Sequence, residues 1–566
     1  MTTARAASPS SAFPVWPTAL HAGALRWLCL LLLSCWIGGC ASLPNAVDRP
    51  VSTALANPSE TLLGQTVAAR ASSAGTRNDS AFALVGSAEL AFTSRMTLIQ
   101  AAQKTLDLQY YAIFADDTTE RLFEALRKAA GRGVRIRILL DDFNTSGKNA
   151  QVLALAFEKN IELRLFNPLP GGRASLFLRI LSNLKDVNRM QRRMHNKIFV
   201  ADNALALTGG RNLGETYFGQ SAGTNFIDID VLAAGRMARD LSRSFDQYWN
   251  NPLAYPVQSL MSAKEIAALK TSPKGANAQA DKPDDPVVPA STASSAVNPT
   301  TRARVATSPG GVTTTLPALP DSTDLRLLDW TWAPSVMLVD KASKIAADAD
   351  SVEESQDSTV DGLLQLMAQA QTELLIVSPY FVPGERMMKQ FAELRRRGVR
   401  LRVLTNSQAS NDAPAAHVGY ARYRKALLGL GVELFEMHAE QQGSITGLGS
   451  TAGATGASRA SLHAKVVVMD GRLLVVGSMN LDLRSKLQNS EVAIIIRNRA
   501  LSLQASRLIE PVLARGAWRV ELADGQLHWR APQGSTLKDA DSEPDASLTL
   551  KLMLQLIAPF APDEML

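Results

Sequence analysis

The chain has 566 residues, too many for one ordinary domain and suited to two or three. Its 46% hydrophobic and 20% charged content is that of a globular protein with a sizeable core, not of a disordered or fibrous one. A net charge of +6, from 59 basic and 53 acidic residues, suits anionic lipid or nucleic acid and selects neither.

At the N-terminus Arg26 precedes the apolar run Trp27 to Ile37. That run is short for a bilayer-spanning helix, which needs about 20 residues, and has the length of a signal-peptide core. Ile37-Gly38-Gly39-Cys40 resembles the lipobox of bacterial lipoproteins. The expectation is therefore a signal peptide over 1–39 and a lipid-modified Cys40, with Cys35 a weaker competitor and a plain secretory signal or uncleaved anchor the other readings. Ala41 is not Asp, and by resemblance to lipoprotein sorting this points to the outer membrane, with the body facing the periplasm. All three cysteines lie in this segment, so the body holds no disulfide and no cysteine metal site.

Residues 40–81 are rich in Ala, Ser, Thr and Asn and read as a flexible tether. A first half follows over 82–261. The strand pattern TLDLQYYAIF (105–114) leads into LFEALRKAAGRGVRIRILLDD (122–142), where helical spacing stops at glycine and an alternating strand begins. The stretch SLFLRILSNLKDVNRMQRRM (175–194) mixes apolar and basic residues, as an interfacial helix does, or as a packed core helix can. Residues 262–323 carry eight prolines and no aromatic residue, and read as a disordered linker. The second half, 324–535, repeats the first: ELLIVSPYF (373–381) precedes QFAELRRRGVRLRVLTN (390–406). A Gly/Ser-rich loop occupies 443–461, and 536–566 forms a tail whose apolar stretch LTLKLMLQLIAPF (548–560) faces a membrane or packs on the core. Strand, helix, strand in each half predicts a βαβ unit in a largely parallel sheet.

Both halves carry one motif. MHNKIFVAD holds His195, Lys197 and Asp202; LHAKVVVMD holds His463, Lys465 and Asp470. Residues two apart on a strand share a face, so each histidine projects with its lysine. Asp202-Asn203 and Asp470-Gly471 are turn formers. The returning strand brings a glycine and an asparagine back beside the histidine, Gly209 and Asn212 in one half and Gly477 and Asn480 in the other.

The duplicated His-x-Lys-x4-Asp with its trailing asparagine resembles the phospholipase D superfamily over about 82–535. The strings LDLQYY, LLDDFNT, RRMHNK, GGRNLGETYF, NDAPAAHVGYARYRKALL and GSMNLDLRS, with the tail DSEPDAS, resemble its bacterial cardiolipin synthase C branch. Gly210 departs from the serine that many relatives carry, and the inserts at 262–323 and 443–461 are further departures. The resemblance implies an α/β fold of two duplicated halves, each a mixed, mainly parallel sheet flanked by helices, packed with pseudo-twofold symmetry around one active site.

The chemistry fits that pattern. A phosphodiester is anionic, so its charge must be compensated and its leaving group protonated. One imidazole attacks phosphorus and forms a phospho-histidine; the other protonates the leaving alcohol and activates the incoming one. Lys197, Lys465, Asn212 and Asn480 are the candidate donors to the phosphoryl oxygens. Asp230 in NFIDIDV and Glu491 in NSEVAI are the candidate orienting carboxylates. Asp202 and Asp470 are counted with the catalytic set, although their turn positions suit a structural role equally. The resemblance assigns the nucleophile to His195 and the acid to His463, and Arg192 and Arg193 beside His195 favour a neutral imidazole there. No cofactor and no metal is needed, and a lysine two positions from each histidine is unlike a zinc ligand set. His417 and His438 lie outside the motif. The resemblance implies phosphatidyl transfer, with phosphatidylglycerol as acceptor and cardiolipin as product, on phospholipids at a membrane surface. Hydrolysis to phosphatidic acid is the first alternative. A nuclease is disfavoured by export and by the lack of a basic-aromatic track, so no nucleic-acid partner is expected; a non-enzymatic scaffold is disfavoured by two intact motifs.

Overall fold

Two nine-stranded sheets, one per half, form the frame of the computed structural model. It describes residues 42–76, 78–173, 175–271, 304–307, 313–316, 319–346, 358–441 and 458–545.

The first half runs α1 (Leu62–Ala74), β1 (Ser80–Val85), α2 (Ala88–Ala101), β2 (Thr105–Tyr110), α3 (Asp117–Gly131), β3 (Arg135–Asp141), β4 (Ile161–Phe166), β5 (Ile198–Ala201), β6 (Leu205–Gly209), β7 (Thr224–Ile227), β8 (Asp230–Gly235), α4 (Arg236–Trp249) and β9 (Ala254–Pro256). β10 (Thr331–Trp332) completes its sheet, in the order β9-β4-β3-β2-β5-β6-β8-β1-β10. The second half runs β11 (Ser335–Val339), α5 (Thr359–Met367), β12 (Glu373–Val377), α6 (Gly384–Arg396), β13 (Arg400–Asn406), α7 (Pro414–Gly429), β14 (Glu433–Met437), β15 (Ser458–Leu462), β16 (Val466–Met469), β17 (Leu473–Gly477), β18 (Val492–Arg497), α8 (Arg499–Arg515), β19 (Ala517–Ala523) and β20 (Gln526–Arg530). Its sheet order is β11-β18-β17-β16-β12-β13-β14-β19-β20.

The βαβ units form where the helical spacing and glycine stops place them. Asp116 caps α3 in a reciprocal box with Thr119, and Gly133 turns the chain at φ +94°. Gly398 does the same after α6 at φ +83°. Each sheet is mixed, but parallel pairing is confined to β2-β3-β4 and to β12-β13-β14. The motif strands turn back as hairpins, β5-β6 and β16-β17, at the turn formers Asp202-Asn203 and Asp470-Gly471.

Strand alternation builds the cores. Ile198 and Val200 face the seam between the halves, while Phe199 and Ala201 face the first half's own helices. In the second half Val466 and Val468 face the seam, and Val467 and Met469 face away. Both sides are apolar, so these strands read as continuous hydrophobic runs. Leu241 of α4 and Ile509 of α8 join the seam core.

Three expected boundaries change. The tether is docked from Pro44 onward. Arg164 donates to the Pro50 carbonyl (2.6 Å), Arg137 to Ser52 (2.8 Å) and Asn203 to Leu55 (2.8 Å), and α1 follows. A segment poor in apolar residues is held here by its backbone, which composition does not reveal. The linker is ordered at both ends: Ala263–Thr271 is helical, Arg304–Thr307 pairs with Thr313–Leu316, and Leu319 enters the first core. Residues up to Trp332 thus belong structurally to the first half, although the second was expected from 324. The expected interfacial helix over 175–194 is two short helices, Leu176–Ser182 and Val187–Gln191. The signal peptide with Cys35 and Cys40, the low-complexity stretch 272–303, loop residues 442–457 and the apolar tail 548–560 lie outside the described residues. Among the described residues, no helix is long and apolar enough to cross a membrane.

Candidate active site

Two short parallel pairings across the seam set the site. Arg193–Met194 pairs with Asn489–Ser490, and β15 pairs with β7. The registers Met194↔Ser490 and Leu462↔Ile227 bring the next residues opposite each other: His195 against Glu491, and His463 against Asp228. The backbone confirms it, with His195 N–H donating to Ser490 O (2.9 Å) and His463 N–H to Ile227 O (2.8 Å). Each histidine therefore receives its carboxylate from the opposite half.

His195 Nδ1 lies 3.0 Å from both oxygens of Glu491, and Ser478 and Ser485 donate to the same carboxylate (2.5 and 3.1 Å). His463 Nδ1 lies 2.8 Å from Asp228 Oδ2. With Nδ1 engaged, Nε2 is the nitrogen left for substrate. Both rings are buried, the His195 side chain 11% and the His463 side chain 5% exposed. Lys197 and Lys465 donate back to the carbonyls of their own histidines, each at 2.7 Å, so one hydrogen bond fixes each ammonium beside its imidazole.

Asp228 corrects the expectation of Asp230. Asp228 lies in the two-residue link between β7 and β8 and Asp230 opens β8, and the sequence alone does not tell the two carboxylates apart. Asp230 turns instead to Arg95 (3.0 Å) and Arg211 (3.4 Å). Gly209 and Gly210 make room for both: a Cβ at Gly210 would lie 2.5 Å from Asp228 Oδ2, and one at Gly209 would lie 2.2 Å from Asp230 Oδ1. Ser478 holds the corresponding place in the second half and donates to Glu491, a bond that Gly210 cannot make to Asp228.

Asp202 and Asp470 are corrected as well. Asp202 accepts the N–H groups of Gln103, Lys104 and Thr105 (2.8 to 2.9 Å), and Asp470 those of Gln371, Thr372 and Glu373 (2.8 to 3.1 Å). Each sits in a left-handed turn, φ +51° and +54°, at the end of β5 or β16 remote from its histidine. They close the loops that launch β2 and β12.

The asparagines differ from each other. Asn212 is committed, accepting from Ala112 N–H (3.2 Å) and donating to Tyr217 Oη (2.9 Å). Asn480 Oδ1 is buried without a partner among the described residues, and a flip of the amide presents its N–H pair at the same point. Asn480 is the one with free capacity for a ligand.

Aromatic and charged neighbours completing the site were not singled out in the sequence. Tyr111 meets the His195 ring edge-on at 5.2 Å; Tyr217 and Phe226 flank His463 at 5.3 and 5.1 Å. Tyr111 stands in LDLQYY and Tyr217 in GGRNLGETYF, so family-like strings contained them without marking a role. Tyr380 donates to Asp412 (2.9 Å).

Burial is the largest influence on both imidazoles and pushes both well below 6.5. Lys197, Lys465 and Arg484 press His195 further down; at His463 the two lysines do the same, but Asp412 pulls upward. Arg193, expected beside His195, is instead held by Asp141 (3.2 Å) and backbone carbonyls. His195 is itself among the charges acting on His463, which places both rings in one electrostatic environment. Burial lowers both lysines too, and raises Asp228 to about 6. Two buried imidazoles, two lysines and a free carboxamide converge at the seam. That set suits an anionic tetrahedral group and has the groups to move a proton across it.

His417 and His438, outside the motif, bond to tail residues Glu543 (3.4 Å) and Asp545 (2.9 Å) and hold the segment that ends the described chain. Among the described residues, no cluster of three or more His, Cys, Asp and Glu stands ready for a metal ion.

A family model described as "Cardiolipin synthase, PLD-like domain" matches residues 96–249 and 363–512, one block per half. Cardiolipin synthase C of Escherichia coli (strain K12) is 35% identical over 82% of this chain and 92% of its own length. Cardiolipin synthase B of Escherichia coli (strain K12) is 23% identical over 75% of this chain and 78% of its own length. The crystal structure of phosphatidylserine synthase from Haemophilus influenzae Rd KW20 superposes with a TM-score of 0.53 at 13% identity, covering 86% of this chain and 94% of that one.

Proposed function

Since this chain belongs to the cardiolipin synthase family of phospholipase D-like enzymes, we propose that it joins two phospholipids into cardiolipin through a phosphatidyl-histidine. His195 Nε2 attacks the phosphorus of a donor phospholipid, and the bond from phosphorus to the headgroup oxygen breaks. His463 gives its Nε2 proton to that departing oxygen. The free hydroxyl of phosphatidylglycerol then attacks the phosphorus, its proton passes to His463, and the N–P bond breaks. Lys197, Lys465 and Asn480 donate to the non-bridging oxygens throughout.

The observation that carries this reading is the pair of cross-seam contacts, His195–Glu491 and His463–Asp228, which gives each imidazole an anionic partner on Nδ1. Charge supports this order of roles. Burial lowers both imidazoles; Arg484 presses His195 further down, leaving a lone pair to attack, while Asp412 partly offsets the lowering at His463, the side an acid needs. Cys40, acylated after cleavage of the leader, would hold the body on the periplasmic side of the envelope, at the outer membrane.

The test supplies purified chain with labelled phosphatidylglycerol, with and without a second phospholipid, beside a DNA control. Labelled cardiolipin is the expected product, and the His195→Ala chain should make none. Phosphatidic acid alone would make the protein a hydrolase, and cleavage of DNA alone would overturn the lipid reading. Cells fed labelled palmitate should carry the label on the wild-type chain and lose it in Cys40→Ala.

A further inference from the structure

The helix Leu176–Ser182 is built inside out. Its arginine, Arg179, is 1% exposed, while Phe177 is 72% and Leu181 53% exposed. Phe177 and Leu181 are four residues apart and share a helix side. The apolar exposure continues through Leu184 (54%) and Val187 (44%) into the next short helix. Single exposed leucines are ordinary, but four large apolar side chains in one short segment are not.

The inversion is fixed by charge. Arg179 and Arg173 both reach the buried carboxylate of Asp142, which also accepts from Thr145 Oγ1 (2.7 Å). Arg179 donates further to the carbonyls of Asp142 (3.1 Å) and Leu169 (2.8 Å). These bonds pin the polar side of the helix against the end of β3 and leave Phe177 and Leu181 no inward course.

The preceding residue, Asp141, ties the same end of β3 to the catalytic strand. It accepts the Met194 N–H (2.9 Å) and bonds Arg193 (3.2 Å), immediately before His195. Two consecutive carboxylates thus hold the apolar helix and the catalytic histidine to one point of the sheet. Lys185 within the segment and Lys148, two residues past the Ser146 that accepts from Arg179 (3.2 Å), are exposed, and the sole acid of 175–194, Asp186, is paired with Arg189 (3.0 Å).

We infer that Phe177, Leu181, Leu184 and Val187 form a docking face that inserts into the surface of an anionic phospholipid bilayer beside the mouth of the active site. Apolar side chains seat among the acyl chains and the lysines meet the lipid phosphates, the arrangement of an interfacial segment. This names the surface by which the site meets its membrane. It rests on the lipid reading for its purpose, but its test does not require turnover.

The test uses the full chain carrying Cys40→Ala, so that no acyl anchor contributes, and vesicles of phosphatidylglycerol and phosphatidylethanolamine. A triple variant, Phe177→Ser with Leu181→Ser and Leu184→Ser, should float with vesicles at least about tenfold less. Phe177→Leu with Leu181→Met should float as well as the parent. On a short-chain phospholipid presented as monomers, the triple variant should turn over at the parental rate. Unchanged flotation of the triple variant would overturn the inference. So would loss of activity on monomers, which would place these residues in the cleft or the fold, and so would a parental dimer that the triple variant dissolves, since a second copy would then cover the face. If the parent itself is inactive on every lipid, loss of flotation in its triple variant would leave the docking face standing and remove the proposed reaction.

Discussion

At the scale of single residues, Asp228 carries most of the functional argument. Burial raises its carboxyl to about 6, against the pull of Arg211 and Lys465, and the distance from 3.8 corresponds to ~3 kcal/mol. The folded value lies above the unfolded one, so the stability linked to this group is complete below about pH 4 and is lost as pH rises through about 6. Asp228→Asn should therefore raise stability at pH 7 by up to ~3 kcal/mol and leave it nearly unchanged at pH 4. It should also cut turnover by about 100-fold or more, because the His463 imidazole loses its anionic partner. Wild-type turnover should fall as pH drops through about 6. Denaturant melts at the two pH values check the first part, and a variant less stable at pH 7 would contradict it. His195, Lys197, His463 and Lys465 were legible in the sequence because duplication repeats them at fixed spacing. Asp228 was not, because it stands two residues from Asp230 and only the cross-seam pairing, which ends at Ile227, sets it against His463. Arg193 was misread for a related reason: nearness in sequence to His195 hid its partner Asp141.

At the scale of elements, the third member of each motif belongs to the loops. Asp202 accepts three backbone N–H groups ahead of β2, each about 1–3 kcal/mol to leave unmade when buried. Asp202→Ala should cost at least ~2 kcal/mol of stability and keep kcat close to normal below its lowered Tm. Thermal melts paired with turnover at low temperature test this, and a normal Tm with lost turnover would restore Asp202 to the catalytic set. The helices and strands of the βαβ units were legible from their glycine stops and apolar spacing. The hairpins β5-β6 and β16-β17 were legible too, from the turn formers at Asp202-Asn203 and Asp470-Gly471. The docking of Pro44 to Glu60 could not be read from composition, because buried arginines such as Arg137 and Arg164 hold it through its carbonyls.

At the scale of the whole molecule, the two halves are incomplete without each other. Each supplies the carboxylate for the other's histidine, and the seam core of Ile198, Val200, Val466 and Val468 holds the cross-seam strands in register. The duplication in the sequence pointed to two halves around one site; the exchange of carboxylates had no sequence signal, being a property of pairing between distant strands. The proposed reaction stands on a single phosphorus held between His195 and His463. It is tested by quenching the enzyme in acid during turnover of a phosphatidyl donor labelled in its phosphate, then mapping the label by mass spectrometry. The account predicts label on His195 in the wild-type chain, label that persists longer in His463→Ala, and none in His195→Ala. Label on His463 alone would reverse the two roles, and full turnover with no labelled histidine in any variant would contradict the two-step reaction.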